Sequence, residues 1–477
     1  MSKEDKRKDL GITEKKEENI GEWFSEVIVK SGFADYSPVK GCIYYLPPAI
    51  YAWEQTIKYT DKLFAQIGIE NVYLPLFIPE KLFEKEAEHI EGFQPEVAWI
   101  ENKDDKSERL AIRPTSETLF SELFSRLVRS YKDLPIKYNQ WCSVVRWETK
   151  AVKPFLRGRE FLWQETHAIY ATEEEAMDDV LKVLDYYVKI AEDLFCIPVI
   201  KGRKSEKEKF AGAIKTFGIE GIMPDGKAIQ LGTTHYLGTG FAKAFNITYL
   251  DENNEPKPAH QTSWGISTRL LGAAIMLHSD NKGIILPPKL LKHKVVIVPI
   301  IFKGKEFVLE KAREIKQMLD DNYLNPILDD RDYSPGWKFN EWELKGIPIR
   351  IEIGPRDVEN KQVVVVLRHS GEKLILKWNN LKNEIYNLLD KIKQELFERA
   401  KKLQEKFLDE AETIDEFEKK LKQNKIIKVH FCDDPNCEEK VKEKFGITSR
   451  LIVSEKPGKC IFCGKPSKYV AYFGKAY

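Results

Sequence analysis

Two neighbouring runs, KYNQWCSVVRWE (residues 137–148) and REFLWQETHAIY (159–170), decide the fold of this chain. Both read as strands, and the basic segment between them is short. Parallel strands need a crossover of a dozen or more residues, usually helical, so these two are predicted to pair antiparallel. A helix is predicted directly after them. Thr172 and Glu175 make a capping box, and Ala176, Val180, Val183, Leu184, Tyr187, Ile190, Ala191 and Leu194 then recur at helical spacing.

Working outward, residues 1–20 are almost entirely polar and charged and are expected to form a flexible tail. From 21 to 286 short β-rich runs alternate with helical patterns. ILPPK, with Pro287 and Pro288, marks a boundary. Beyond it KVVIVPIIF, VLEKAREIKQML, IPIRIEI and VVVVLR alternate strand with helix, which predicts a small α/β domain over 287–381. Ile385, Leu388, Leu389, Ile392, Leu396, Ala400, Leu403 and Phe407 keep a helical period, read as one connecting helix over 382–425. A cysteine-bearing domain, 426–477, completes the chain.

The 477 residues are too many for one core and suggest about three domains. With 76 basic and 75 acidic residues the net charge is +1, which argues against non-specific coating of nucleic acid but leaves room for a basic face. No apolar run of transmembrane length and no secretory h-region is present, so a cytoplasmic protein without membrane contact is expected.

Of the seven cysteines, Cys42, Cys142 and Cys196 stand apart in apolar sequence and are expected to be reduced core thiols. Cys432 and Cys437 are separated by four residues, Cys460 and Cys463 by two, with 22 residues between the pairs. Two turns, each presenting two thiolates, suit a tetrahedral structural Zn²⁺ with no open position. Four free thiols or a disulfide pair are the alternatives, and His430 is close enough in sequence to replace one ligand.

Three stretches suggest chemistry. RPTSET (113–118) places hydroxyls beside Glu117. RWETKAVKPFLRGREFLWQE (146–165) gathers Arg146, Lys150, Lys153, Arg157 and Arg159 around a loop flanked by Glu148 and Glu165. SWGISTRLLGAAIML (263–277) leads small residues into Arg269 at a helix start. Arginines so placed suit a polyphosphate, although basic loops are often merely solvated. No Walker or dinucleotide fingerprint is present.

In order and spacing, these stretches resemble the signature motifs of class II aminoacyl-tRNA synthetases. GIENVYLPLFIPE (68–80), with Pro75, resembles the first, which builds a homodimer interface; the hairpin resembles the second, and GISTRLLGAAIM the third. RPTSET, PFLRGREFLWQETH, AIQLGTTHYLG, TSWGISTRLLG and DYSPGWKFNEWELKGIPIRIEIGPRD are similar to segments of prolyl-tRNA synthetases. The four-cysteine tail ending in Tyr477, and an interval between the second and third motifs too short for an editing insertion, resemble the archaeal and eukaryotic type. The implied fold is an α+β catalytic domain on an antiparallel sheet, an α/β anticodon-binding domain and a small zinc domain.

The implied reaction activates L-proline with ATP to prolyl-adenylate. It then transfers proline to the 3′ end of tRNA(Pro), releasing AMP and pyrophosphate. No protein nucleophile is needed; positioning and charge neutralisation suffice. By the resemblance Arg146 bridges the proline carboxylate and the α-phosphate, Glu148 accepts from the adenine amino group, and Phe161 and Arg269 sandwich the ring. Arg157 meets the γ-phosphate, Gln230 and Thr268 lie near ATP, and Mg²⁺ bridges phosphate oxygens. Thr115 and Glu117 receive the proline ammonium. Trp163, Glu165, His167, Thr233 and His235 complete the wall, with Gly265 and Ser267 close to the substrate backbone. For the anticodon the candidates are Arg331, Asp332, Trp337, Lys338, Phe339, Glu343 and Arg356. The terminal carboxylate of Tyr477 is expected to approach the active site. A threonyl, glycyl or histidyl relative is disfavoured by the proline-type segments. A non-activating RNA-binding paralogue is disfavoured by the presence of Arg146, Glu148 and Arg269.

Overall fold

The hairpin forms as predicted. In the computed structural model, strands Ile136–Val145 and Glu160–Tyr170 pair antiparallel from Ile136↔Ile169 to Val145↔Glu160. The structure describes residues 11–87, 97–101, 109–147, 152–301, 304 and 306–477. Strand His260–Ser267 pairs antiparallel with Glu160–Tyr170, and strand Ala228–Gly238 follows, then Lys215–Ile222 and Val199–Arg203. Strand alternation gives this sheet two faces. Phe161, Trp163, Glu165 and His167 face a cavity. Gln164 and Ala168 face the helices, where the Tyr187 hydroxyl donates to Gln164 Oε1 at 2.7 Å.

The helix face is covered by Glu173–Lys189, capped by the predicted Thr172–Glu175 box, and by Arg269–His278. Their apolar stripes join Ile219, Leu231, Trp264 and Ile266 of the sheet in one core. Helices Ile20–Ser31 and Pro47–Phe64 contribute Trp23, Phe24 and Phe64 to it.

Part of the expected N-terminal tail is held in place. The Glu26 carboxylate accepts from the backbone N–H groups of Thr13 (2.9 Å) and Glu14 (2.8 Å), and Lys16 donates to the Ser279 carbonyl at 2.7 Å. A charged run looks solvated in sequence, yet its backbone donors find a carboxylate here. Residues 1–10 lie outside the described set.

The second domain is a five-stranded sheet in the order Ile327–Leu328, Val295–Pro299, Ile349–Ile353, Gln362–Leu367, Lys373–Lys377. The first three strands are parallel and the last two antiparallel. The long helix Leu381–Phe407 divides its apolar positions between two cores: Ile385, Leu389, Ile392 and Leu396 pack on this sheet, and Ala400 on the catalytic core.

One connecting helix over 382–425 is not what forms. The helix ends at Phe407, strand Leu408–Glu410 follows, and a new helix, Ile414–Leu421, starts at the Thr413 cap. These two elements belong to the C-terminal domain, because Ala411 and Phe417 pack with Ile427, Val429, Phe431 and Phe473. That domain's strands, Leu408–Glu410, Ile426–Phe431, Pro466–Gly474 and Thr448–Lys459, extend the catalytic sheet, which ends at the short strand Glu70–Asn71 beside Ile136–Val145, to eleven strands among the described residues. The junction is the pair Ile452↔Arg203.

Candidate active site

The cavity, about 290 Å³, lies on the sheet face opposite the helices. It brings together Thr115, Glu117, Arg146, Phe161, Trp163, Glu165, His167, Gln230, Thr233, His235, Gly265, Ser267 and Arg269. Register explains much of this: Gly265 pairs with Glu165 on one side and with Thr233 on the other. A Cβ on Gly265 would stand 2.8 Å from the Gln164 carbonyl oxygen, so the neighbouring strand alone demands glycine here.

Glu165 is the hub of the floor. It is 2 % exposed. Its Oε2 accepts from the Ser116 N–H at 3.0 Å and lies 3.3 Å from His167 Nε2. Its Oε1 accepts from Gln140 Nε2 at 2.7 Å. Burial raises its pKa, but the His167 hydrogen bond and charge, with the Ser116 and Gln140 donors, outweigh burial and hold it below the usual carboxylate range. Cys142, 3.7 Å from the same carboxylate, is pushed the other way to about 12 by burial and by the Glu165 charge. It lies beside the floor and is only half-buried, as is Cys42; Cys196 alone of the three is fully buried.

Glu117 opens the helix Glu117–Leu127, where the N-terminal dipole favours a carboxylate. The Thr115 hydroxyl donates to it. His167 stacks on Phe120 with ring centroids 4.3 Å apart. His235 is held by Thr216 Oγ1, 3.0 Å from its Nδ1, and by Phe210. Burial, with His167 nearby, lowers its pKa to about 3, so its imidazole is neutral at neutral pH.

The other end of the cavity is aromatic and cationic. The Arg146 guanidinium lies 5.6 Å from the Phe161 ring and 5.3 Å from Trp163, and its Nε donates to the Pro114 carbonyl. Arg269 donates to the carbonyls of Leu156 (3.1 Å) and Gln230 (3.3 Å). A second cavity of about 360 Å³ shares Arg146, Phe161, Ser267 and Arg269, and adds Arg157 and Tyr477. Tyr477 is fixed there by its N–H to the Ala228 carbonyl (3.0 Å) and its hydroxyl to Asp225 (2.8 Å).

Thr268 does not reach either cavity. It is 1 % exposed, with its hydroxyl 3.3 Å from that of Tyr45, and serves the helix start. Glu148 and Lys150 lie outside the described residues. Sequence reasoning missed Lys204, Glu208, Phe210, Thr216 and Ser263, all of which line the first cavity. Ser263 Oγ has no hydrogen-bond partner among the described residues.

The anticodon candidates separate. Arg331 holds buried Asp329 with two bonds of 2.8 Å and lies beside Trp337, which stacks on Tyr333 at 4.0 Å. Asp332 and Arg356 are exposed. Lys338 is buried, donating to the Asp329 carbonyl, and Phe339 lies under Arg350. Glu343 accepts from Arg350 at 3.0 Å and pairs with Lys282 of the catalytic domain.

In the C-terminal domain the Sγ atoms of Cys432, Cys437, Cys460 and Cys463 all lie within 4.8 Å of one another. Cys432–Cys463 and Cys437–Cys460 are 3.7 and 3.9 Å apart. A tetrahedron with Zn–S of about 2.3 Å has an S···S edge of about 3.8 Å, so the four thiols fit Zn²⁺. A disulfide needs S–S of about 2.05 Å, which these distances exclude. His430 is outside the cluster, its ring standing where a side chain on Gly458 would be.

Three family models match the chain: the class II tRNA synthetase core domain (G, H, P, S and T) over 98–278, the anticodon binding domain over 294–388, and the C-terminal domain of prolyl-tRNA synthetase over 414–477. The chain is 48% identical over 466 residues to the proline–tRNA ligase of Ruminiclostridium cellulolyticum, covering 96% of this chain and 97% of the relative. It is also 48% identical to the proline–tRNA ligase of Alkaliphilus oremlandii, over all of both chains. With proline–tRNA ligase 2 of Bacillus cereus the figure is 48% over 97% and 98% of the two.

Proposed function

Because the chain belongs to the class II prolyl-tRNA synthetases, and so ligates proline to tRNA with ATP, we propose that the first cavity activates proline and that the second holds the ATP phosphates. The convergence of thirteen predicted residues on one cavity carries this reading. Glu117 and Thr115 receive the proline ammonium, and the Glu117 charge offsets the desolvation of that cation. Trp163, His167, Thr233 and a neutral His235 enclose the ring. Glu165 holds Ser116 and His167 in place.

Arg146 stands between the two cavities and so can serve the proline carboxylate and the α-phosphate together; its planar fork offers donors to both. Adenine is taken between Phe161 and Arg269, with Gln230 beside it, Glu148 as its edge acceptor and Arg157 at the terminal phosphate. Carboxylate attack on the α-phosphate then needs alignment and charge neutralisation from these groups, without a protein nucleophile. Mg²⁺ would accompany ATP and offset the charge of its phosphates. Zn²⁺ on the four thiolates supplies structural cross-linking.

The Arg331–Tyr333–Trp337 group, exposed at Arg331 and Tyr333 and half-buried at Trp337, is a platform for unstacked anticodon bases of tRNA(Pro). Exposed Tyr73 and Phe77, in the segment that resembles the first motif, support a homodimer. Among the described residues no helix is long and apolar enough to cross a membrane; the reaction is placed in the cytoplasm because its tRNA substrate is used there. The domain layout supports the archaeal and eukaryotic type. The relatives named above are bacterial, so this type describes layout and not source.

ATP–pyrophosphate exchange with each of the twenty amino acids tests the reading of the cavity. Proline should dominate; exchange with a charged or bulky amino acid at comparable rate would reject it.

A further inference from the structure

Lys204, Glu208 and Phe210 line the amino-acid cavity from the loop between strands Val199–Arg203 and Lys215–Ile222. The inner side of this loop is tied to the sheet. Phe210 N–H donates to Thr216 Oγ1, which also holds His235, and the Ile214 N–H donates to the Tyr236 carbonyl.

Its outer side is tied to the C-terminal domain, more than 200 residues downstream. Asp433, next to Cys432, accepts from Arg203 Nη2 at 2.7 Å and from the Glu206 N–H at 2.9 Å. Ser449 and Ser205 share a hydroxyl contact at 3.0 Å. Arg450 grips Glu220 with Nε at 2.9 Å and Nη2 at 2.8 Å. Glu220, 1 % exposed, also receives Lys204 Nζ at 2.5 Å, and the same ammonium donates to the Arg450 carbonyl at 3.1 Å.

A surface ion pair contributes little to stability, but Glu220 and Lys204 are buried, Arg450, Asp433 and Arg203 are partly buried, and all are hydrogen-bonded, which fixes geometry. We propose that Arg450 and Asp433 of the C-terminal domain are positioning residues for the amino-acid site, holding the 204–210 wall against proline. Arg450 acts through Glu220 and Lys204. Asp433 acts through Arg203 and Glu206, and couples the wall to the cysteine cluster. The zinc domain thereby tunes amino-acid binding in the catalytic domain. The inference rests on the first cavity being the proline site.

The test uses the full-length enzyme in pyrophosphate exchange, with KM for proline and for ATP measured separately. Arg450→Ala is expected to raise the proline KM about tenfold and to leave the ATP KM within about twofold, since a small misplacement of a binding wall is costly. Arg450→Lys, which keeps the charge without the bidentate grip, should fall between. Asp433→Asn should raise the proline KM about threefold with zinc content unchanged by elemental analysis.

A merely structural role would lower kcat or the melting temperature and leave the proline KM alone, and that result overturns the proposal. So does a parallel rise of both KM values. If Arg450→Ala is insoluble, Arg450→Lys and Asp433→Asn decide. Trp163→Ala separates the two readings. If it leaves the proline KM unchanged, the assignment of the cavity fails; if it raises it and the Arg450 variants do not, the positioning role fails.

Discussion

Glu165 Oε2 lies 3.3 Å from His167 Nε2 and 3.0 Å from the Ser116 N–H, so one buried carboxylate ties the hairpin strand to the start of the Glu117 helix. Removing its charge leaves His167 and two further donors facing a neutral group. Glu165→Gln should therefore lower kcat/KM for proline by about 100-fold, on the order of 3 kcal/mol, most of it in KM. Exchange kinetics within about threefold of the parent would contradict the role given to this residue.

Tyr477 sits in the second cavity with Arg157 and Arg269, 39 % exposed, and is held by one backbone carbonyl, that of Ala228, and by the Asp225 carboxylate, so removing it takes no side chain out of a core. Deleting it should cut activation about tenfold, near 1.4 kcal/mol, while the melting temperature stays within a few degrees. Unchanged exchange rates with the truncated chain would count against a part for the terminus in catalysis.

Selectivity against smaller amino acids should be limited. A missing methylene is worth about 1–3 kcal/mol, so alanine, lacking two ring methylenes, should be activated on the order of 10²–10⁴-fold less well than proline. Cysteine should behave similarly. Pyrophosphate exchange with either at the level of a reaction without amino acid would reject this.

Acid should destabilise the protein through two buried histidines. Burial lowers His235 and His278 to about 3, so both stay neutral in the fold while the unfolded chain protonates near 6.5. Unfolding thus binds protons: stability is full above pH 6.5 and is lost as pH falls towards 3, by about 1.4 kcal/mol per pH unit for each histidine. In urea melts between pH 6 and 5, His278→Asn should flatten this slope by one histidine's share. An identical slope in the variant would show that His278 titrates normally in the fold.

The parts of this molecule that were legible in sequence are those set by local pattern. The resemblance to class II synthetases named Phe161, Trp163, Glu165 and His167, which strand alternation brings to one face, and the Thr172–Glu175 box starts its helix as the local pattern predicts. The parts missed depend on distant partners. Lys204, Glu208 and Phe210 sit in a charged loop that resembles a solvated one; contacts from Asp433, Ser449 and Arg450 make it a wall. A lone aromatic, Phe210, was the one local hint. The helix expected over 382–425 breaks before Thr413, whose hydroxyl accepts from the Glu416 N–H to start a new helix; within a run of charged residues no apolar contrast marks that cap. Thr268 stood inside a motif, but its hydroxyl turns to Tyr45, a contact no spacing reveals.

The most direct measurement is a crystal structure with a non-hydrolysable prolyl-adenylate analogue. The proline nitrogen should lie within hydrogen-bonding distance of Thr115 and Glu117, with the phosphate mimic beside Arg146 and adenine between Phe161 and Arg269. An analogue seated elsewhere, or with its ring and adenine ends exchanged, would contradict the account.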